Sequence, residues 1–209
     1  MLTLKEINDA LTERHTQEKQ QKLSAAKVAV AGLGGLGSNV AFALARIGVG
    51  HLHLIDFDRV DLTNLNRQQY FIRHIGLYKT EALKQELEEI NPYLEILTDC
   101  VKVTEQNLKQ LFCEEDIVCE AFDVPEAKAM LAAGIREHFP DKILVAASGM
   151  AGYGGSNAIH TRKIHEHFYL CGDEAAAPAP GNGLMAPRVA LCAAHQANLI
   201  TELILGGNE

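Results

Sequence analysis

Thiols are sparse in this chain. The five cysteines, Cys100, Cys113, Cys119, Cys171 and Cys192, are scattered and odd in number, and no Cys-x-x-Cys pair occurs. That argues against a disulfide framework and against a four-thiolate zinc site. Cys119 lies in the apolar run DIVCEAF and reads as a small core side chain. No stretch approaches the roughly 18 apolar residues needed to span a bilayer. The N-terminal MLTLKEINDALTERH carries charges throughout and lacks an apolar signal core. A cytoplasmic protein without a membrane partner is the expectation. Excess cationic charge is also missing: the net charge is −8, which disfavours nonspecific binding to nucleic acid or an anionic membrane. A few local cations can still hold phosphates against that average.

What is present is an ordinary globular composition, 47% apolar and 22% charged over 209 residues. The first 25 residues read as a polar helix, with Leu4, Ile7 and Leu11 at helical spacing. KVAVAG follows as a short strand stopping at glycine. A helix from about Leu36 carries Val40, Leu44 and Ile47 on one face. HLHLID is a second strand ending at an acid. The polar segment FDRVDLTNLNRQQYFIRHI reads as a loop of functional length with a helical turn. GLYKTEALKQELEEIN is an amphipathic helix, with Leu83, Leu87 and Ile90 inward and Pro92 ending it.

LEILTDC, DIVCEAFD and KILVAAS read as further strands with helical connections. Alternation of apolar strands with helices predicts a Rossmann-like α/β fold, a mostly parallel sheet with helices on both faces. Residues 149–171 read as hairpin material with Gly152, Gly154 and Gly155 in the turns, giving a C-terminal antiparallel extension. EAAAPAPGNG, at 174–183, reads as a mobile or crossover loop. A last helix runs from about Met185 to Leu205 with Val189, Cys192, Leu199 and Leu203 packed. No internal repeat is evident, and residues 1–209 are read as a single domain.

The turn Gly32-Leu33-Gly34-Gly35-Leu36-Gly37 follows a strand and opens a helix, the context a G-x-G-x-x-G motif requires. Gly32 permits the tight turn, Gly34 lets phosphate approach the backbone, and Gly37 lets helix and sheet pack closely. The helix start offers free N–H groups to an anion. Asp56 falls ~20 residues beyond the turn, where an acid meets ribose hydroxyls. To this point ATP and NAD are equally good ligands. Asn64, Arg67 and Lys79 then crowd cations and an amide beside that acid. A polyphosphate with a reacting phosphorus needs such charge where its bond breaks; solvated surface charge is the plainer account. Asp123 lies just beyond a strand, at the carboxyl edge of the sheet. It can hold Mg2+ against phosphates, or cap a helix beginning near Pro125.

GLGGLGS, IDFDRVDLTNLNRQ, the lysine of GLYKTEAL, and INPYLEI together resemble the ThiF/MoeB family. Its members are ubiquitin-activating-type adenylyltransferases acting on sulfur-carrier proteins. The resemblance covers about residues 26–125, and the D-x-D-x-V-x-x-x-N-L-x-R-Q string is more specific than the glycines. The later GD…GNGLMAPRVALCAAHQAN is similar to the short ThiF form of thiamine biosynthesis.

The resemblance implies ATP-dependent adenylation of a carrier's C-terminal Gly-Gly carboxylate with release of pyrophosphate. It assigns Gly32, Gly34, Gly35 and Gly37 to the nucleotide and Asp56 to ribose. Asp58, Asn64, Arg67, Gln68 and Lys79 join the nucleotide site, and Asp123 takes the Mg2+. It also implies a homodimer in which Arg14 reaches the partner's site. The zinc-holding Cys-x-x-Cys pairs common in the family are missing here, so no zinc is expected. His165, His167 and Cys171 could suggest a metal, but hairpin residues are the better reading. Cys171, ahead of Gly172-Asp173, is the candidate for sulfur transfer; an ordinary thiol is the alternative. Gly206-Gly207 is not a carrier-type tail, because Asn208 and Glu209 follow it. An NAD-dependent oxidoreductase and a nonenzymatic nucleotide or carrier-binding module are the competing readings.

Overall fold

The computed structural model describes residues 2–206. Met1 and the Gly207-Asn208-Glu209 end of the chain lie outside the described residues. Short runs of small and β-branched residues form the central strands, β1 (Lys27–Ala31), β2 (His51–Ile55), β4 (Ile117–Glu120) and β5 (Ile143–Ala147). After its first residue each of β1, β2 and β5 is buried, and β4 is buried throughout. Such continuous burial is what a parallel strand covered on both faces demands. With β3 (Glu95–Asp99), β6 (His160–His165) and β7 (Phe168–Gly172) they form one sheet in the order β3-β2-β1-β4-β5-β7-β6. All pairings are parallel except β6 with β7. The strand order reverses between β1 and β4, and the carboxyl ends at such a switch point leave a crevice for a ligand.

Helices α3 (Gly35–Arg46), α4 (Lys79–Ile90) and α7 (Ala186–Leu205) cover one face, where Val28, Val30, Leu52, Leu54 and Val145 meet Val40, Leu44, Leu83, Leu87 and Ile200. α5 (Leu108–Leu111) and α6 (Pro125–His138) cover the other, where Ala29, Ala31, Ile55, Val118 and Leu144 meet Phe112, Leu131 and Ile135. The period of two along β1 thus divides Val28 and Val30 from Ala29 and Ala31. Each fully buried leucine on these faces contributes about 2 kcal/mol of apolar transfer energy.

Four details differ from the sequence expectation. The N-terminal helix is broken into α1 (Leu4–His15) and α2 (Gln17–Ala25) by Thr16, whose φ is +79°. The break lets buried Gln20 bond His15, Ser24 and the Gly48 carbonyl, and these long-range partners are invisible in a helical pattern. The β3–β4 connection holds only the single-turn α5. The loop after β2 contains two short 3-10 turns, Leu62–Asn64 and Ile72–His74, instead of one. The antiparallel hairpin occupies 160–172, and 149–155 is a glycine-rich loop rather than strand. Among the described residues no helix is long and apolar enough to cross a membrane.

Candidate functional site

Gly32 leaves β1 at φ +92°, with its N–H bonded to the Ile55 carbonyl at 2.8 Å. A Cβ there would meet the Ala121 carbonyl oxygen at 2.8 Å, and a Cβ on Gly37 would lie 1.8 Å from the Gly32 oxygen. Strand, turn and helix therefore touch backbone to backbone, which only glycine allows. A Cβ on Gly35 would lie 2.8 Å from the Val189 side chain of α7. Gly34 is different: its nearest obstacle is the Gln68 side chain at 3.8 Å, and it caps α3 without any side-chain hydrogen bond. The uncapped helix start faces a cavity of about 520 Å³, lined by Gly32, Gly34 and Gly35 among others.

One end of that cavity is built from buried charge. Asp56 accepts from Leu33 N–H through Oδ2 at 2.7 Å and from Asp58 N–H through Oδ1 at 2.8 Å. Lys79, the first residue of α4 and only 7% exposed, donates to Asp58 Oδ2 at 2.8 Å and lies 3.9 Å from Asp56 Oδ2. Tyr70 donates to the Leu33 carbonyl at 2.8 Å. Burial first, then Asp56 and Asp58, push its phenol well above the usual range, so it stays a neutral donor. The wall also contains Arg67 and Gln68. Arg67 donates from Nη1 to the Thr63 carbonyl and Asn66, yet its Nε is buried with no partner, as is Gln68 Oε1. Buried polar atoms without partners are rare, and two beside one cavity mark a place built for a polar ligand.

Asn64 is not in this wall. Its Oδ1 accepts from Asp61 N–H at 3.1 Å and its carbonyl accepts from Arg67 and Gln68 N–H, so it shapes the loop that presents them. The tight 3-10 turn Leu62–Asn64 turns its side chain to this task.

Across the cavity, β4 ends at Glu120, which is 1% exposed. Its Oε1 accepts from Phe122 N–H at 2.7 Å and from Lys128 Nζ at 2.9 Å, while Lys128 also donates to the Phe122 carbonyl. Burial raises the Glu120 carboxyl above its ordinary range, with Lys128 and backbone N–H groups opposing. Buried Gln196 of α7 donates to the Glu120 carbonyl. Asp123 follows on the same turn, exposed, in the cavity wall and without a partner among the described residues. The helix cap of α6 is Val124 with no side-chain bond, so Asp123 does not serve as the cap. Glu120, Lys128 and Gln196 were missed in the sequence; a glutamate inside the apolar run DIVCEAF was the only local sign.

The other end of the cavity is apolar and small: Ala147, Ser148, Gly149 and Met150 after β5, and Ala176, Ala177 and Pro178 from the crossover loop. Asp173 holds that loop by accepting from Ala175 and Ala176 N–H and by a close ion pair with buried Arg188. Arg188 also donates to the Gly154 and Gly155 carbonyls. Burial alone would raise the Asp173 carboxyl; these N–H groups and Arg188 outweigh it and hold it below its usual value.

Arg14 and Cys171, like Asn64, lie outside the cavity. Arg14 is exposed near the end of α1, a helix whose Leu11 abuts Gly48 beyond the far end of α3. Cys171 is fully buried in β7, and burial pushes its thiol up, which disfavours the thiolate that sulfur transfer needs. His165 lies exposed on β6, and among the described residues no cluster of three or more His, Cys, Asp or Glu is placed to hold a metal ion.

A switch-point crevice with a glycine turn and an acid at the next strand end defines a Rossmann-like α/β protein. The ThiF family pattern matches residues 8–209, and the chain belongs to that family. It is 41% identical over 113 residues to the molybdopterin-synthase adenylyltransferase of Haemophilus influenzae, covering 54% of this chain and 46% of that protein. The enzyme of the same name from Escherichia coli is 30% identical over 192 residues, covering 90% of this chain and 76% of that protein. The chain therefore spans less than half the length of some relatives it matches. In the solved structures, E. coli tRNA N6-threonylcarbamoyladenosine dehydratase in complex with ATP superposes with TM-score 0.87 at 24% identity, covering 97% of this chain and 95% of that one.

Proposed function

We propose that this protein adenylates the C-terminal Gly-Gly carboxylate of a small ubiquitin-like sulfur carrier protein, using Mg2+-ATP. Residues 1–209 act as one adenylyltransferase domain, working as a homodimer in the cytoplasm, in thiamine biosynthesis. The observation that carries the reading is the uncapped start of α3 facing Arg67, whose buried Nε lacks a partner, with unpaired Asp123 in the same cavity. These groups fit a polyphosphate: backbone N–H groups and a guanidinium for its oxygens, and one hard oxygen ligand for a metal that keeps its own water and phosphate ligands.

Asp56 accepts ribose hydroxyls through lone pairs left free by its two backbone bonds. Arg67 and Lys79 balance phosphate charge, and Gln68 offers an acceptor. Asp123 holds Mg2+, which when bound neutralises charge on the phosphates. A carboxylate oxygen of the carrier attacks the α-phosphorus, the bond to the bridging α–β oxygen breaks, and that oxygen leaves on pyrophosphate. Positioning supplies much of the rate. The small residues Ala147, Gly149, Ala176 and Ala177 suit a glycine tail and crowd out a bulkier one. The net charge of −8 weighs against a nucleic-acid substrate. The buried Lys79 and the unpartnered Nε of Arg67 weigh against NAD, which has no reacting phosphorus.

Pyrophosphate–ATP exchange, with and without small carriers ending in Gly-Gly, tests this. The expected result is exchange that needs the carrier and is lost in Arg67→Ala and Asp123→Ala. No exchange with such carriers, in protein stabilised thermally by Mg2+-ATP, would leave a binding module. Stabilisation by NAD and not by Mg2+-ATP would favour an oxidoreductase.

A further inference from the structure

The turn that carries Asp123 has no side-chain tether of its own, because Asp123 is exposed and unpartnered among the described residues. Its position comes from the residues behind it. Glu120 is almost wholly buried and accepts the Phe122 N–H, spanning the turn from its first residue. Lys128, one turn into α6, brings its ammonium within 2.9 Å of the Phe122 carbonyl and 2.8 Å of Glu120 Oε2, besides the bond to Oε1. Glu120, the Phe122 backbone and Lys128 thus close a ring around the turn. Gln196 pins the Glu120 carbonyl from α7 at 3.0 Å and the Val145 carbonyl at 3.3 Å. The same turn leans on the glycine loop, since the Ala121 carbonyl is what a Cβ on Gly32 would strike.

Lys128 lines the nucleotide cavity, and on composition alone it would be taken for another phosphate cation. Its ammonium donates to Glu120 Oε1 and the Phe122 carbonyl and sits 2.8 Å from Glu120 Oε2, so two of its three N–H bonds are spent and its charge is balanced inside the ring. A buried carboxylate also costs several kcal/mol to leave without its cation, which opposes release of Lys128 toward a ligand.

We propose that Glu120 and Lys128 are positioning residues: they form a buried ion-pair ring that aims the Asp123 carboxylate at Mg2+, and neither touches the nucleotide. The inference rests on the Mg2+ role given to Asp123 in the preceding reading. Removing an outer partner that orients a metal ligand typically weakens metal-dependent binding by about tenfold or more.

The test is ATP affinity by titration calorimetry, once in excess Mg2+ and once in excess EDTA, on the full chain. The ratio of the two dissociation constants is the Mg2+ enhancement. Wild-type protein is expected to bind ATP more tightly with Mg2+, and Asp123→Ala to lose that enhancement. Glu120→Gln and Lys128→Met should each cut it by about tenfold while leaving the affinity in EDTA unchanged, and Lys128→Arg should retain most of it. Glu120→Gln added to Asp123→Ala should do no further harm, because the two residues act through one ligand. The double variant Glu120→Gln/Lys128→Met leaves no unpaired buried charge and serves if a single variant fails to fold. Full enhancement in that double variant would overturn the proposal. Equal losses with Mg2+ and with EDTA would also overturn it, making Lys128 a direct phosphate ligand. If Asp123→Ala itself keeps the enhancement, the metal role of Asp123 falls, and the positioning role falls with it.

Discussion

The two ends of the cavity are built on opposite principles. At the β1–β2 end, Asp56, Asp58 and Lys79 are interlocked, and the glycine loop packs against backbone on two sides. At the β5–α7 end, two loops with positive φ at Gly152, Gly154, Gly155 and Gly181 converge on one ion pair, Asp173–Arg188. The first end spreads its constraints over many short contacts made by neighbouring segments. The second joins its loops through backbone hydrogen bonds, Ala151 N–H to Ala176, Gly152 N–H to Gly183, Asp173 N–H to Gly149 and Glu174 N–H to Ser148, and adds one arginine that serves both.

The largest effect is expected at Gly37. With a Cβ 1.8 Å from the Gly32 oxygen, Gly37→Ala should cost about 3 kcal/mol or more, or prevent folding, by urea denaturation. Gly34→Ala, three residues away, should stay within about 1 kcal/mol of wild type, because only the Gln68 side chain at 3.8 Å is near. Equal losses at the two positions would break the picture of a packed turn with one open side.

Arg188→Met comes next. It leaves Asp173 without its cation and loosens both loops, and should cost about 3 kcal/mol. Limited proteolysis should then cut within 149–155 or 173–184 before any other segment; cleavage elsewhere first would remove the keystone role. Asp173 also carries a pH signature. Its carboxyl is held below the ordinary 3.8, so its contribution is present above that value and disappears as pH falls through the folded pKa.

A smaller effect belongs to His53, outside the cavity. Its ring meets Glu115 at 2.6 Å and Asp99 at 2.8 Å, and Asp99 in turn accepts the Asp56 N–H through its carbonyl. Burial alone would lower this imidazole, but the two carboxylates outweigh it and raise it above 6.5. Protonated His53 serves both acids, whereas the neutral ring can donate to only one. The stabilisation is complete below about pH 6.5 and is lost as pH rises through the folded pKa. The urea midpoint should therefore fall between about pH 6 and about pH 9, and His53→Gln should flatten that slope. A midpoint that rises over this range in wild type would contradict the assignment.

The smallest effect is expected at Cys171. Iodoacetamide on folded protein should label exposed Cys100 and Cys113 and spare Cys119, Cys171 and Cys192, whose burial disfavours their thiolates. Cys171→Ala should cost about 1 kcal/mol for the lost sulfur contacts. Rapid labelling of Cys171 would reopen a chemical role for it.

Much of the architecture was legible because it is written in short windows. Strands at KVAVAG, HLHLID and KILVAAS, and helices from 35 to 46 and 79 to 90, follow from periodicity and from where glycine and proline interrupt it. The break at Thr16 was not, since it depends on Gln20 reaching the Gly48 carbonyl. Of the charged and polar residues singled out by motif and spacing, Arg67, Gln68, Lys79 and Asp123 line one cavity, whereas Asn64, Arg14 and Cys171 do not. The choice between cap and free carboxylate at Asp123 could not be made from Asp-Val-Pro alone, because it turns on backbone direction at Val124.

The Rossmann-like α/β class, the glycine turn and the set of charged residues near it follow from the amino-acid sequence alone. Those features depend on side-chain period and on backbone freedom within a few residues. Only the tertiary structure decided which charges are already paired, as Lys79 with Asp58 and Lys128 with Glu120, and which polar atoms are left waiting, as Arg67 Nε and Asp123. Burial and pairing are set by segments that meet only after the sheet has formed, and the cost of desolvating a charge is settled by whichever partner the fold brings to it.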